Sequence, residues 1–481
     1  MSTTSIPSTS TPPIPSPSCN HPANPLICII GPTGTGKSQL SVSIAQHFNG
    51  EIINADAMQM YAGLPIITNK IPVHEQHGVP HHMLGFIGLE EKPWTVRRFV
   101  DRARRVIEDV RGRGKVPIVV GGTGYYVHGL VVVGDSLLEG GEGKGEVRDV
   151  SEEAGENEVK EWGETRTGEG MEILQAPVEE MYDKLMEVDP EMARSWHPKD
   201  KRRIQRSLEI WLKTRKRASD YYREQRDKGG TEEGLSGLQY DTLMLWLDAE
   251  DDVLKERLNK RVDSMVADGL FEEALELYEA ENEYERQGME IDKGKGIWVS
   301  IGYKELERWA KAHAADPEAN QKDSKLALEC IEAVKAGTRQ YAKRQNRYIR
   351  LRLANALKQA GELDKLFLID STDVTRWKET VEPQARELVS AFIEGRSLPK
   401  ASTLSALARS TFDTVGAERS ARTIHRCEVC DKTLMSEGEW HRHMASRSHK
   451  NVVQSQRKRA LKGQAIAVRV VPVDVQHDLP P

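Results

Sequence analysis

The stretch Leu26-Ile-Cys-Ile-Ile-Gly31-Pro-Thr33-Gly34-Thr35-Gly36-Lys37-Ser38 decides the fold. Apolar residues make a short buried strand, a glycine-rich loop follows, and Gln39 to Phe48 continues as a helix. The spacing Gly31-x4-Gly36-Lys37-Ser38 is that of a phosphate-binding loop, and it has the strand before it and the helix after it that such a loop requires. Glycines let the backbone curl so that several N–H groups converge on one anion, and the helix N-terminus adds its dipole. Gly31, Thr33, Gly34, Thr35 and Gly36 form the cradle. Lys37 neutralises terminal phosphate oxygens, and Ser38 offers its hydroxyl to a Mg²⁺ held between phosphates. The pattern leaves open whose phosphates these are.

Outward from this loop, Glu51-Ile-Ile-Asn54-Ala-Asp56-Ala57-Met58-Gln59-Met-Tyr61 reads as a second strand with polar groups at its carboxyl end. In open α/β sheets ligands bind at that edge, so Asp56 faces the loop. Taken alone, such an Asp is as often a helix cap as a catalyst. Thr68-Asn69-Lys70 and Gly78-Val-Pro80-His81-His82 form a polar loop segment without a clear period. The stripe Val96, Phe99, Val100, Ala103, Val106, Ile107 and Val110 predicts a helix to Gly112. Another buried strand, Lys115 to Val120, ends in Gly121-Gly122-Thr123-Gly124-Tyr125-Tyr126, and two more lie at Thr242–Asp248 and Lys365–Asp370. Strands separated by helices imply a doubly wound parallel sheet. The fold class is therefore α/β, P-loop NTPase-like, with a second domain inserted between the strands.

The chain has 481 residues, which suits two or three domains, and a formal net charge of −6 with 30% charged residues. Cys19, Cys28 and Cys330 stand alone, whereas Cys427 and Cys430 form a close pair suited to metal, so a reducing compartment is expected. No apolar run approaches a membrane span. The first 25 residues are Ser/Thr/Pro-rich without Lys or Arg, unlike a signal peptide or a mitochondrial presequence, and read as a disordered tail. Residues 134–172 read as a disordered acidic loop.

Order returns at Pro177. In the next basic helix, Ile204, Leu208, Trp211 and Leu212 share a face, and Arg202, Arg203 and Arg206 lie largely off it. A basic helix is usually a solvated face; this density of charge in an acidic protein points instead to a polyanion surface. The run Lys335 to Arg350, with Arg339, Tyr341, Lys343, Arg344, Arg347 and Tyr348, is cationic with interleaved aromatics, a pattern suited to unpaired bases and backbone phosphates of single-stranded RNA. Residues 396–422 read as a Ser/Ala/Thr-rich linker. Cys427-x2-Cys430-x12-His443-x5-His449 then has zinc-finger spacing, and a unit this small needs its Zn²⁺ to fold. Arg457-Lys458-Arg459 is either a nuclear-import signal or a further phosphate-contacting patch.

Four stretches together resemble the tRNA dimethylallyltransferases (tRNA isopentenyltransferases) of eukaryotic type with a C-terminal C2H2 zinc finger: Gly31 to Ser38, Asn54 to Tyr61, Gly121 to Tyr126 and Thr338 to Gln345. Thr68-Asn-Lys70, Pro80-His-His82, Arg261-Val-Asp263 and Ile301-Gly-Tyr-Lys-Glu305 support them, so the likeness spans about residues 26–372 plus the finger. It implies transfer of a dimethylallyl group from dimethylallyl diphosphate to N6 of the adenine just 3′ of the anticodon. Carried over by motif, Asp56 is the base, Thr123 lies beside the reacting centre, and Arg261 clasps the diphosphate with the loop residues. Asp56, Ala57, Met58 and Gln59, Arg202, Arg203, Ile204, Gln205 and Arg206 match stretches that meet tRNA, joined by Arg339, Lys343 and Arg344. Mg²⁺ accompanies the diphosphate at Ser38, and structural Zn²⁺ sits on Cys427, Cys430, His443 and His449.

The resemblance divides the chain into a tail (1–25), a first part of the P-loop core (26–133), the acidic loop (134–172), an inserted helical tRNA-binding domain (173–235), a core continuation with a basic helical tRNA-binding block (236–395), a linker (396–422), the finger (423–452) and a basic, disordered tail (453–481). A cytoplasmic monomer is expected, with nuclear entry open and a mitochondrial pool left open though the N-terminus gives it no support. Ala57 replaces the family's usual Ser, Val299 a common Gln and Tyr348 the usual Trp. The rival readings are a P-loop small-molecule kinase, which has no use for a basic aromatic helix or a finger, and a non-catalytic zinc-finger RNA-binding protein, against which the intact Gly36-Lys37-Ser38 argues.

Overall fold

The strand at the head of the phosphate loop is apolar on both faces, and so both faces must be covered. The computed structural model describes residues 22, 24–132, 171–221, 223, 237–289, 291–415, 425–434 and 436–467, the side chains of 171 and 459–467 excepted. In β1 (Pro25–Ile30), Ile27 and Ile29 enter one core, while Leu26, Cys28 and Ile30 enter another on the opposite face. Alternation of this kind with burial on both sides is the mark of a central parallel strand. Its partners are β2 (Gly50–Asn54), β3 (His81–His82), β4 (Val116–Gly121), β5 (Asp241–Asp248) and β6 (Leu366–Asp370), in the order β3-β2-β4-β1-β5-β6, with every pairing parallel. Ile27 lies level with Ile118 on one side and Leu243 on the other. The doubly wound parallel α/β class is thereby shown. The chain leaves β1 towards β2 on one side and later adds β5 on the other, so the crevice at the carboxyl end of β1 is a topological switch point.

Helix α1 (Lys37–His47) and, as numbered at the end of this unit, α12 (Val381–Ile393) cover one face with Leu40, Ile44, Val381, Leu388 and Val389. The other face carries α2 (Val96–Gly112), whose predicted stripe is buried throughout and whose N-cap Thr95 accepts the Arg98 N–H. Behind it lie α3 (Gly124–Val131) and a helical block of α7 (Asp251–Asp268), α8 (Leu270–Arg286), α9 (Tyr303–Ala315), α10 (Lys325–Tyr348) and α11 (Ala354–Gln359). A π-helical turn, Ile349–Leu353, joins α10 to α11 and keeps Ile349 and Leu353 in the core. Strand β3 falls in the segment without sequence period; it is only two residues long.

By internal contact the chain forms two units: Met1–Val147 with Thr231–Gly416, and Arg148–Gly230 with Ala417–Pro481. The second contains α4 (Val178–Val188), α5 (Pro190–Ser195) and α6 (Lys201–Thr214), packed around Met181, Leu185, Ala193, Ile204 and Leu208. It also contains the hairpin β7 (His425–Cys427) and β8 (Lys432–Leu434), with α14 (Glu437–Ala445) and α15 (Arg447–Ala467). Within this unit the His197 ring N–H donates to the Thr433 carbonyl at 3.2 Å.

Two stretches differ from their sequence reading. Of the 396–422 linker, residues 401–415 fold onto the first unit: α13 (Ala406–Phe412) packs against β6, with Ala408 and Val415 in its core. Its small side chains carry little hydrophobic signal, while Leu404, Leu407 and Phe412 supply the contacts. Of the 453–481 tail, residues to Ala467 continue α15, a run rich in Gln, Lys, Arg and Ala. The N-terminal tail, most of the acidic loop and the end of the chain lie outside the described residues. Among those described, no helix is long and apolar enough to cross a membrane.

Candidate active site

Strand β1 ends on a glycine because nothing else fits. Gly31 has φ +140°, and a Cβ there would stand 2.2 Å from the Leu247 carbonyl oxygen of β5. The loop is braced from within: the Thr35 hydroxyl, fully buried, donates to the Pro32 carbonyl at 2.9 Å, and the Lys37 ammonium donates to the same oxygen at 2.8 Å. It is braced from outside too. The Thr33 N–H donates to the Gln345 side-chain carbonyl at 2.9 Å, and Arg257 donates to the carbonyls of Gly34, Ser371 and Thr372. Ser38 occupies the first turn of α1.

Asp56 follows β2 at the same sheet edge. Its backbone N–H donates to the Asn54 side chain and its carboxylate accepts the Met58 N–H at 3.0 Å, so the carboxylate direction is fixed locally. Burial raises Asp56 above the usual carboxylate range, against the pull of Lys37 and of the N–H groups of Met58, Gln59 and Gly122. Burial likewise pushes Lys37 down to about 8, with Asp56 opposing the shift and Arg261 adding to it. Arg261, on α7, is also depressed by burial and held up by Asp56. Lys70 is pushed down to about 8 by burial, opposed by Glu273 and Asp56; its ammonium donates to the Gly63 carbonyl and the Thr68 hydroxyl. The site thus gathers three cations around one carboxylate beside the phosphate loop.

After β4, the buried Thr123 Oγ1 accepts the Ala57 N–H at 3.1 Å, which ties the β4 turn to the segment carrying Asp56. Tyr125 is pushed up to about 12 by burial and by Asp56, and Tyr341 is raised well above its ordinary range by burial, Asp56 and Tyr125. The sequence-predicted residues of the first unit therefore converge: Gly31 to Ser38, Asp56 to Gln59, Thr123 and Arg261 share one crevice. Missed in the sequence were Gln345, Arg257 and Lys70; the only signal was their place inside longer motif stretches.

The profile of the IPP transferase family matches residues 59–352. The chain is a member of this family. It is 34% identical to the tRNA dimethylallyltransferase of Saccharomyces cerevisiae over 90% of this chain and 93% of the relative, and 35% identical to that of Homo sapiens over 90% and 87%. A solved eukaryotic dimethylallyltransferase acting on tRNA superposes with a TM-score of 0.70 at 33% identity, covering 92% of this chain and 99% of the other.

In this IPP transferase the cationic helix α10 is two-sided. Tyr341, Gln345 and Tyr348 turn inward: the Tyr348 ring packs at Gly124 and its hydroxyl lies 3.0 Å from His128 Nδ1. Lys343, Arg344 and Arg347 are exposed, and Arg339 donates to Asn259. The interleaved aromatics, read in sequence as stacking platforms for bases, are half-buried, with Tyr348 packed against the turn after β4. A tyrosine at i and i+7 shares the face that Gln345 fills at i+4.

On α6, Arg202 and Arg203 are exposed and Ile204 is buried. Arg203 pairs with Asp200 and stacks on Trp196; Arg206 and Lys213 both pair with the buried Glu209, which reduces the free charge of the helix. Gln205 is half-buried beside them. In the finger, one donor atom from each of Cys427, Cys430, His443 and His449 lies within 4.8 Å of the others. His443 Nε2 is buried without a hydrogen-bond partner, and the two thiols stand 3.6 and 3.4 Å from His449 Nδ1. Four converging soft donors with an orphaned imidazole nitrogen fit a tetrahedral divalent ion.

Proposed function

We propose that this chain alkylates N6 of the adenine immediately 3′ of the anticodon in tRNA, using dimethylallyl diphosphate as donor. The observation that carries this is the Asp56 carboxylate set among Lys37, Lys70 and Arg261 beside the phosphate loop. An adenine amine is a poor nucleophile because its lone pair is delocalised, so it needs a base as the new bond forms. Asp56 takes the N6 proton while the C–N bond to the donor's first carbon forms and the carbon–oxygen bond to diphosphate breaks. A carboxylate raised by burial is the better base for this step. The departing diphosphate gains negative charge, which Lys37, Arg261 and the N–H groups of Gly34 to Ser38 are placed to absorb. Thr123 holds the Ala57 backbone, and so the base, in place.

Ser38 would be a ligand of a Mg²⁺ accompanying the diphosphate, and such an ion would offset part of the charge that leaves with it. The finger's four donors take Zn²⁺, which supplies the stability that so small a unit lacks. Exposed Lys343, Arg344 and Arg347, Arg202 and Arg203, and Arg447, Lys450, Arg457 and Lys458 of α15 supply the contacts to tRNA phosphates. The base reaches the crevice by leaving its stack.

Purified protein with Mg²⁺ and dimethylallyl diphosphate is expected to alkylate an anticodon stem-loop RNA with three consecutive adenines, read by nucleoside mass spectrometry. Phosphate transfer from ATP without alkylation would establish the kinase instead, and RNA binding without either reaction the non-catalytic finger protein.

A further inference from the structure

Gln345 is a neutral side chain in a cationic helix, yet it is buried to 6% exposure and spends both ends of its amide on the site. Its carbonyl accepts the Thr33 N–H of the phosphate loop at 2.9 Å, and its NH₂ donates to the Gly122 carbonyl at 3.0 Å. Thr33 lies 312 residues away in the chain and Gly122 223. Gly122 adjoins Thr123, and its N–H reaches Asp56. A Cβ on Gly122 would meet Gln345 Nε2 at 2.1 Å and Asp56 Oδ2 at 3.3 Å, so the amide and the carboxylate crowd one small space that only glycine leaves open. The neighbouring peptide of the loop, at Gly34, is held from the other side by Arg257.

We propose that Gln345 is a positioning residue for the transfer: one rigid amide fixes the separation between the loop that holds the leaving diphosphate and the turn that supports Asp56 and Thr123. This rests on the roles given above to the loop and to Asp56. In-line displacement needs the donor carbon and the adenine amine near contact distance, and a misplacement of about 1 Å costs about a hundredfold in rate. The two ends follow different strands, β1 and β4, and a planar amide with a donor at one tip and an acceptor at the other matches an N–H on one side and a C=O on the other. A carboxylate or a hydrocarbon of the same length satisfies only one of them or neither.

The test uses the full chain with two variants, Gln345→Leu and Gln345→Glu, assayed for kcat, for KM of dimethylallyl diphosphate and of tRNA, and for pH profile. Gln345→Leu removes both bonds; kcat is expected to fall by about 10- to 100-fold with tRNA KM nearly unchanged. Gln345→Glu keeps the acceptor towards Thr33 and places a carboxyl beside Asp56, which also faces Lys37, Lys70, Arg261, Tyr125 and Tyr341. The acid limb of kcat/KM is then expected to move up by about one pH unit, because neighbouring carboxyls resist sharing charge. A purely structural role lowers the melting temperature and leaves that limb where it was. Wild-type kcat in folded Gln345→Leu, a loss confined to tRNA KM, or an unmoved acid limb in Gln345→Glu would overturn the proposal. Should Gln345→Leu fail to fold, Gln345→Glu carries the test alone. A wild-type chain that does not alkylate RNA refutes the underlying reaction; an active wild type indifferent to Gln345 refutes only this role.

Discussion

At Asp56 one carboxylate answers to three cations and two phenols, and its chemistry follows from that balance. Asp56→Asn keeps the shape and the Met58 contact but cannot take a proton; alkylation is expected to fall by about 10²- to 10⁴-fold, while tRNA affinity stays near wild type. A filter-binding assay beside single-turnover kinetics separates the two. Two opposed shifts shape the pH profile. Asp56 is raised, so it protonates at a pH above the usual carboxylate range, and the proposed base is lost there as the solution is acidified. Lys37 is lowered, so in the empty site its charge is lost as pH rises through about 8, and donor KM should climb there. Lys37→Arg removes that part of the alkaline limb and leaves the part due to Lys70, which also titrates near 8. Lys37 was legible from the spacing of the phosphate loop, Asp56 from its place at the carboxyl end of a strand together with the family resemblance, and Thr123 from that resemblance alone. Gln345 and Arg257 were not, because a lone Gln or Arg on a charged helix reads as solvated until its partners, hundreds of residues away, are known to lie beneath it.

Elements carry a different kind of constraint. Gly31→Ala must push a methyl into the Leu247 carbonyl from a backbone conformation that L-residues avoid, and should cost about 2 kcal/mol or more along with donor binding. Gly112→Ala, at the end of α2 with open space around it, should be neutral or stabilising by a few tenths to about 1 kcal/mol. Chemical denaturation of both variants makes the comparison. On α10, replacing Lys343, Arg344 and Arg347 by Ala one at a time should reduce the slope of log affinity for tRNA against log salt by about 0.7 per lost phosphate contact. A slope that does not change would take that face out of the RNA interface. Strands β1 and β4 and helix α2 could be read from hydrophobic pattern because each is packed along its whole length. The inward set of α10 could not: Tyr341, Gln345 and Tyr348 are polar or amphipathic, and their burial depends on the turn after β4 rather than on any local period.

Over the whole molecule, the formal charge of −6 coexists with exposed cations gathered on α6, α10 and α15. Binding of a polyanion by such a chain must be local and strongly salt-dependent. Chelation of the finger's ion should unfold that segment and weaken tRNA affinity by about tenfold, the loss of a few phosphate contacts, with single-turnover chemistry at saturating tRNA little changed. Circular dichroism with and without chelator, paired with binding, checks it. The excursion between β4 and β5 begins and ends at one place: Val132 bridges Leu238, and the Gln239 N–H donates to the Val131 carbonyl at 2.8 Å. Closing a long loop at a ready-made neck costs only slightly more than closing a short one. The sheet can therefore form without consulting the hundred or so residues that hang from that neck, and a variant with 134–236 replaced by a short Gly/Ser turn should still fold and still bind inorganic pyrophosphate. The neck is thus a graft point: because the chain leaves and re-enters the core at paired residues, a segment exchanged or shortened between them breaks no strand of the sheet.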